Sequence, residues 1–437
     1  MHIHTAEGPW LEAVSGPLSE DSQTVLPPSG ENLRGLRVGI VGASVAGLST
    51  AWFLTRLGAS VRVFERSASR LEERGAGIAF DPAVLPLLGD LPHCKLQRRV
   101  VLDTNGQIRW EKELRKCTTS WSELYRALHN HVPESLISRG LAVAGCEPFH
   151  EGVTLHFQDG SPEKFDLVVG ADGVGSIIRQ VVDSEFRPQY LGYVALRGHI
   201  DEEALPTDSE KIRSLANLPA MINFYGPQSH ITAYWIPSRS GKALNWMCYR
   251  NVEEHDLAEY LSDESGRTHH WSLPPGMLGK SRRDQMLREM SHIFPEDFMR
   301  MAEATTNLSL QAIYYGVSSS FTRERIVLVG DAAHIAVPHI VAGSTFAIQD
   351  ALSLAQAITR GPLDQTLNDW AERRRVETQA SLEIAKRLGH ALQHEAHEWK
   401  NWTPGDFDTW WESIAGGKGL YFDVKSKNQP DSKHPEP

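Results

Sequence analysis

The sequence predicts an α/β fold in which a mainly antiparallel sheet is inserted into a parallel one, and three stretches carry that prediction. A short apolar strand, Leu36 to Val41, runs through Gly42-Ala43-Ser44-Val45-Ala46-Gly47 into a helical segment, Val45 to Leu57, and then a second strand, Ser60 to Phe64. That order begins a parallel βαβ unit. Between about 186 and 310 the character changes to aromatic-rich alternation, as in Ile231 to Ile236 and Ala243 to Tyr249, which reads as antiparallel strands. The apolar strand Ile326 to Val329 then returns to the first style and runs into Gly330-Asp331, with a helix starting near Ser344.

Taken in order, residues 1–35 mix Pro, Gly, Ser and acidic residues without periodicity and read as a flexible extension. Residues 36–185 form the first part of the nucleotide-binding domain and end with a further strand, Phe165 to Val169. Residues 186–310 form the inserted domain, with helical patterns at Glu253 to Leu261 and Ser281 to Ile293. Residues 311–390 complete the first domain. Helical pattern over 365–399 is expected to break at Gly389. The tail, 391–437, contains Trp399, Trp402, Trp410 and Trp411, which are expected to cap a core, and its last dozen residues read as disordered.

Composition narrows the function. The 437 residues carry a formal charge of −11, with a pI near 6.0 and no basic run, which argues against nucleic-acid binding. The scattered Cys94, Cys117, Cys146 and Cys248 form no Cys-x-x-Cys pair, so free thiols in a reducing compartment are expected rather than disulfides or zinc. No metal site is expected. No apolar stretch approaches the roughly 20 residues of a membrane span, and neither a secretory nor a peroxisomal signal is legible. A cytoplasmic location is the expectation.

The motifs point to a dinucleotide. Gly42 makes the turn, and Gly47 allows close packing of strand and helix. Ala43, Ser44 and Ala46 are small enough for a pyrophosphate to approach the helix amino end. Glu65, 23 residues beyond Gly42 at the end of the second strand, can accept both hydroxyls of an adenosine ribose. Gly330 permits a tight turn from which Asp331 projects at the strand's carboxyl end. The loop from Pro338 to Gly343 brings the amino end of the next helix, with Gly343 and Ser344, to the same place. A sugar hydroxyl on Asp331 beside an anion on that helix describes a flavin dinucleotide. Between these motifs stands Gly170-Ala171-Asp172-Gly173, followed by Ser176 and Arg179, where Asp172 either fixes a turn or serves the cofactor.

In that order the motifs resemble those of the single-component flavin-dependent aromatic monooxygenases, the family of the para-hydroxybenzoate and salicylate hydroxylases. The resemblance covers roughly residues 36–390. Finer features, Thr119-Ser120-Trp121 with Leu124-Tyr125-Arg126, Tyr193 to Gly198, Asn245-Trp246 with Tyr249-Arg250, and Pro338-His339 with Ala342-Gly343, are similar to the 2,6-dihydroxypyridine 3-monooxygenase branch. The resemblance implies a Rossmann-like FAD-binding domain with an inserted, mainly antiparallel β-sheet substrate domain. It implies FAD on Gly42, Gly47, Glu65 and Asp331, with Arg74, Gly75, Ala76 and Gly77 alongside the flavin. Trp121 stands where many members have a flavin-contacting arginine, and Arg126 is the candidate to serve instead.

The implied chemistry uses NADPH or NADH as a transient co-substrate and O₂ to hydroxylate a hydroxypyridine- or phenol-like ring through a flavin hydroperoxide, the cofactor carrying the hard step. Loss of the ring hydroxyl's proton is helped by a base near the ring. His339 is the first candidate, with a loop-satisfying histidine as the alternative reading. Arg197 and His199 could hold an anionic oxygen or a ring nitrogen, Tyr225 and His230 are weaker candidates, and His334 reads as structural. The alternatives are a tailoring monooxygenase acting on a larger natural product, a flavin halogenase that Trp235-Ile236-Pro237 supports only in part, and an FAD-binding redox regulator without turnover. A homodimer is left open.

Overall fold

The computed structural model describes residues 32–70, 76–207, 212–213, 215, 218–395 and 397–415. The expected N-terminal extension, apart from residues 32–35, and the expected disordered C-terminal end lie outside them.

Two sheets organise the chain. The first has six strands in the order Thr322–Arg323, Ile326–Leu328, Leu167–Gly170, Arg37–Val41, Ser60–Glu65 and Ile137–Arg139. All its neighbours are parallel except the edge hairpin of Thr322–Arg323 with Ile326–Leu328. Parallel strands need crossover connections, which bury both faces. The Val45–Arg56 and Gly343–Ala357 helices supply much of that cover, and Val38, Ile40, Val63, Val168 and Val327 are fully buried between layers.

The second sheet has ten strands. Its path runs Ser272–Leu273, Ser309–Val317, Gln189–Asp201, Gly241–Asn251, Ser229–Ser238, Ala220–Gly226, Cys94–Leu102, Ile108–Ser120 and Gly77–Phe80, with His334–Ile335 paired beside Ser309–Val317. It is antiparallel except where Ala220–Gly226 lies parallel to Cys94–Leu102. The insert therefore does not begin at 186. Three of its strands come from Gly77 to Ser120, a stretch that lacks the aromatic alternation used to mark the boundary.

Alternation along these strands divides the sheet into two faces. Ile231, Ala233 and Trp235 point into a core with Trp246, Met290 and Phe298, while His230, Thr232 and Tyr234 point to the other side. There the long Leu363–Gln393 helix and the Pro404–Ala415 helix close the layer, and Trp399, Trp410 and Trp411 are buried among them.

Two helical expectations are corrected. Glu253 to Leu261 forms only a 3-10 turn, Glu254–Asp256, and one short helix, Leu257–Tyr260. The Leu363–Gln393 helix runs unbroken through Gly389. A Cβ at Gly389 would lie 2.4 Å from the Tyr193 hydroxyl and 3.1 Å from Cε1 of His339. The glycine is there to let a helix pass over two rings.

Candidate active site

At the end of the first strand Gly42 adopts φ +103°, and a Cβ on it would come within 2.3 Å of the Ala171 carbonyl oxygen. A Cβ on Gly47 would lie 1.9 Å from the Gly42 carbonyl oxygen. These contacts press the Val45–Arg56 helix onto the sheet with its amino end at the strand edge. Ser44 makes no side-chain cap, and the first turn holds no acidic residue. The helix thus offers uncompensated N–H groups and the positive end of its dipole. Glu65 is buried at the next strand end, where Oε2 accepts the N–H of Ala43 and Oε1 that of Ser67, each at 2.9 Å. Each carboxylate oxygen keeps a further lone pair for a hydroxyl donor.

The Gly330-Asp331 turn is held from behind by a buried cluster. Asp350 accepts the Gly330 N–H at 2.9 Å, Nε2 of His334 at 2.8 Å, and two N–H groups of Arg374 at 3.0 and 2.7 Å. Burial alone would raise the Asp350 carboxyl, but Arg374, His334 and the Gly330 N–H outweigh it and hold the group well below the usual carboxylate range. His334 is therefore structural, as expected. Arg179 braces the same turn by donating to the carbonyls of Asp331 and Ala332, both at 3.1 Å.

Asp331 itself, with its side chain on the cavity, takes no side-chain hydrogen bond from protein among the described residues. Protein surrounds it while the cleft leaves it accessible, and burial raises its carboxyl above the ordinary value against the opposing pull of His334 and Arg179. The accessible carboxylate is free to accept hydrogen bonds from what fills the cleft.

A cavity of about 280 Å³ joins these motifs to the large sheet. Ser44, Ala46, Asp331, Gly343 and Ser344 line one side, with Gly77 beside them. Gly77 is clamped from the sheet: its N–H donates to Asn245 at 2.7 Å, and its carbonyl accepts Tyr234 at 3.0 Å and Arg197 at 3.2 Å. A Cβ there would strike the Asn245 side chain at 2.4 Å.

The opposite wall is the alternate-residue face of the sheet. Arg197 stands between Met247 and Ser309 in the strand register and donates to Gln311 at 2.7 Å, while its Nε has no partner among the described residues. Arg99, buried, donates to the His339 carbonyl at 3.4 Å and lies 5.0 Å from the Trp411 ring. His339 lines the cavity, buried against Tyr249 and Tyr193, and both its ring nitrogens lack a partner among the described residues. Burial, and then Arg99, pull its imidazole down to about 3, so the expectation of an ordinary histidine titration is corrected. The residue is neutral throughout the working range. Val341, two residues on, adopts φ +50°, a left-handed conformation that costs a β-branched residue about 1–3 kcal/mol.

Several expected residues sit elsewhere. His199 is exposed and does not line the cavity. Arg126 pairs with Glu123 at 2.8 Å and is not among the residues lining the cavity, whereas Trp121 lines it, stacked on Tyr125. The Asp172 carboxylate accepts the Ser176 hydroxyl at 2.5 Å and the Ile177 N–H at 2.7 Å, which makes it a turn former. Tyr225 packs among Trp399 and Trp410. Arg74 and Gly75 lie outside the described residues. The wall residues Arg99, Asn223, Thr232, Tyr234, Met247 and Tyr249 were missed as site candidates; two-residue spacing from His230 would have found Thr232 and Tyr234, whereas Met247 and Tyr249 are cross-strand partners of Arg197 and His230 that only the register reveals.

Residues 40–69 match the NAD(P)-binding Rossmann-like domain family, 190–314 the FAD binding domain-like family and 279–384 the FAD binding domain family. The chain is 27% identical over 380 residues to 2,6-dihydroxypyridine 3-monooxygenase of Paenarthrobacter nicotinovorans, covering 82% of this chain and 92% of the relative. It is 28% identical over 349 residues to 3-amino-4-hydroxybenzoate 2-monooxygenase of Streptomyces cremeus, covering 75% and 80%. Among solved structures, 2,6-dihydroxypyridine-3-hydroxylase from Arthrobacter nicotinovorans superposes with a TM-score of 0.77 at 26% identity, over 85% of this chain and 95% of that one. The relatives and the solved structure that the chain resembles are aromatic-ring monooxygenases, and with its FAD-binding matches the chain is an FAD-dependent enzyme of the aromatic-hydroxylase type.

Proposed function

We propose that this enzyme hydroxylates a single electron-rich aromatic or heteroaromatic ring bound as an oxyanion or carboxylate, with NADPH or NADH and O₂ as co-substrates. The carrying observation is that the cavity sets the FAD motifs against a wall bearing both Arg197 and Arg99. Its substrate class agrees with the hydroxypyridine and aminohydroxybenzoate named for the relatives.

The residues fit FAD. The uncapped amide turn after Gly42 suits a pyrophosphate, Glu65 has lone pairs for ribose hydroxyls, and the unpartnered Asp331 suits the ribityl chain. The amino end of the Gly343–Ala357 helix suits the electron-rich end of the flavin ring. When bound, FAD supplies the redox chemistry with O₂, and the protein supplies binding, orientation and electrostatics.

The chain's own contribution is readable on the wall. Two guanidiniums favour the ionised form of a ring hydroxyl, because a nearby positive charge lowers an acid's pKa. Ionisation pushes electron density into the ring, which is what electrophilic oxygenation needs. Neutral His339 then serves as a hydrogen-bonding partner that orients the ring oxygen, rather than as a charged acid. Tyr234 and Asn245 fix Gly77, holding the edge of the cleft rigid. Cavity size supports a small substrate: an apolar cavity of about 150 Å³ holds benzene, and part of the space here is the flavin's. With four free cysteines and a soluble co-substrate, the reading is of a cytoplasmic enzyme.

The test is NAD(P)H oxidation by the FAD-loaded protein with 2,6-dihydroxypyridine, 3-amino-4-hydroxybenzoate and salicylate. Expected is stimulation by at least one ring compound, with a product heavier by one oxygen atom. Stimulation by none, or peroxide as the sole product with every ring, overturns the reading.

A further inference from the structure

His230 and Gln393 form a buried polar pair on the cavity's inner wall that the ring-hydroxylase chemistry above leaves unused. His230 comes from the Ser229–Ser238 strand, two residues before Thr232 and four before Tyr234 on the same face, and it lines the cavity. It is 1% exposed and lies flat on Tyr249, with ring centroids 4.3 Å apart at 11°. Its Nδ1 is taken by Nε2 of Gln393 at 2.6 Å. Gln393 is the last residue of the Leu363–Gln393 helix and is fully buried, and its carbonyl accepts the Asn251 side chain at 2.8 Å, which fixes its backbone.

The chemistry of a neutral imidazole makes this pair informative. It has one N–H donor and one acceptor nitrogen, and what one nitrogen binds decides what the other can do. With the Gln393 amide donating to Nδ1, the proton must sit on Nε2, the ring's other polar atom. An N–H donor on the same wall as Arg197 and Arg99 suits an anionic ring oxygen. We propose that Gln393 is a positioning residue that locks His230 in its Nε2–H tautomer, and that His230 is a specificity-determining donor to the substrate's ring oxygen. The proposal rests on the ring-hydroxylase reading for the substrate and on geometry alone for the tautomer.

The surroundings keep the ring neutral. Burial comes first, and then His339 and Arg99, in pulling His230 well below the ordinary histidine value. The groups packed about it are Tyr249, Tyr225, His339, Arg99 and Gln393, none of them an acid. A donor of fixed tautomer is therefore available across the working pH range. Glutamine, unlike glutamate, can hold that tautomer without charging the ring.

The test has two readouts. Imidazole ¹⁵N spectra of the histidine-labelled holoenzyme, assigned by loss of a signal in His230→Phe, are expected to show a neutral ring protonated at Nε2. Protonation at Nδ1, or a charged imidazolium at pH 7, overturns the proposal without touching the hydroxylase reading. Gln393→Glu keeps the shape but accepts a proton from Nδ1, so it should leave FAD content unchanged and reverse the tautomer or charge the ring. It should raise KM for 2,6-dihydroxypyridine, or whichever tested ring stimulates turnover, by tenfold or more, and introduce an ionisation into the pH profile of KM. Gln393→Met should raise KM less and introduce no ionisation. A Gln393→Glu enzyme with unchanged KM and pH profile overturns the recognition role. If Gln393→Glu does not fold, the wild-type tautomer and the KM of Gln393→Met decide. If no ring stimulates turnover, the functional reading fails while the tautomer is still decided by the spectrum.

Discussion

Arg179 holds Asp331 in place from 152 residues away, its guanidinium donating to the Asp331 carbonyl at 3.1 Å while the Asp331 carboxylate is left for the cleft. The Gly-Ala-Asp-Gly motif thereby braces the Gly-Asp motif. Asp331→Ala should lower FAD affinity on the order of tenfold to a hundredfold, the cost of a charged hydrogen bond of about 1.5–3 kcal/mol. Arg179→Met should lower it too, because two loop carbonyls lose their donor. Fluorescence titration of the apoprotein with FAD measures both, and wild-type affinity in Asp331→Ala would reduce that residue to a turn former.

Removing one member of the pair that supports this turn should be severe. Arg374→Leu leaves the fully buried Asp350 with less compensation, and breaking such a pair costs about 3–5 kcal/mol. Asp350's folded carboxyl is depressed, so its contribution is complete above an unfolded aspartate's ordinary value, about 3.9, and is lost as pH falls below it. Denaturant unfolding at pH 7 and at pH 3 should therefore show Arg374→Leu far less stable than wild type at the higher pH. Equal stability of the two at pH 7 would contradict the assignment.

Glycine to alanine inside a helix ordinarily stabilises by about 1 kcal/mol. At Gly389 the sign should reverse, since the added carbon meets the Tyr193 hydroxyl at 2.4 Å and the His339 ring at 3.1 Å. Overpacking of this kind costs about 1–3 kcal/mol. Thermal unfolding of Gly389→Ala reads the outcome, and a raised Tm would mean the helix end relaxes freely.

His339→Ala should keep FAD and slow hydroxylation by roughly 10²-fold, because the ring loses the partner that orients it. Because burial holds the imidazole near 3, turnover should show no inflection near pH 6.5 that disappears in the variant. Such an inflection would assign His339 an ordinary titration and a direct base role.

Arg197→Met should raise KM for anionic rings by tenfold or more and increase the share of NAD(P)H lost as peroxide. Arg197→Lys should recover little, since a single ammonium cannot reach both Gly77 and Gln311 as the guanidinium does. Product per NAD(P)H consumed is the measurement, and full coupling in Arg197→Met would move anion recognition to Arg99.

The strand-end geometry of the proposed FAD site was legible in the sequence because its signals are local. A turn that only glycine can make, an acid at a strand end and a helix amino terminus each lie within a few residues of one another, so Gly42, Gly47, Glu65 and Asp331 stand where their motifs put them. The strand signals at Ile231 to Ile236 and Ala243 to Tyr249 were local as well.

The proposed substrate wall depended on tertiary structure. Arg99, Arg197, His230 and Gln393 come from three strands and a helix end far apart in the chain, and only sheet register and helix docking make them one wall. The same reason explains the corrections. His199 shares Arg197's strand but does not line the cavity, Asp172 spends its carboxylate on its own turn, and the helix runs on through Gly389 with two rings packed against it where a side chain would not fit. His339 was placed at the cavity by its motif, but its protonation was decided by the burial that packing imposes, because desolvation depends on what surrounds a side chain in space and not on its neighbours in sequence.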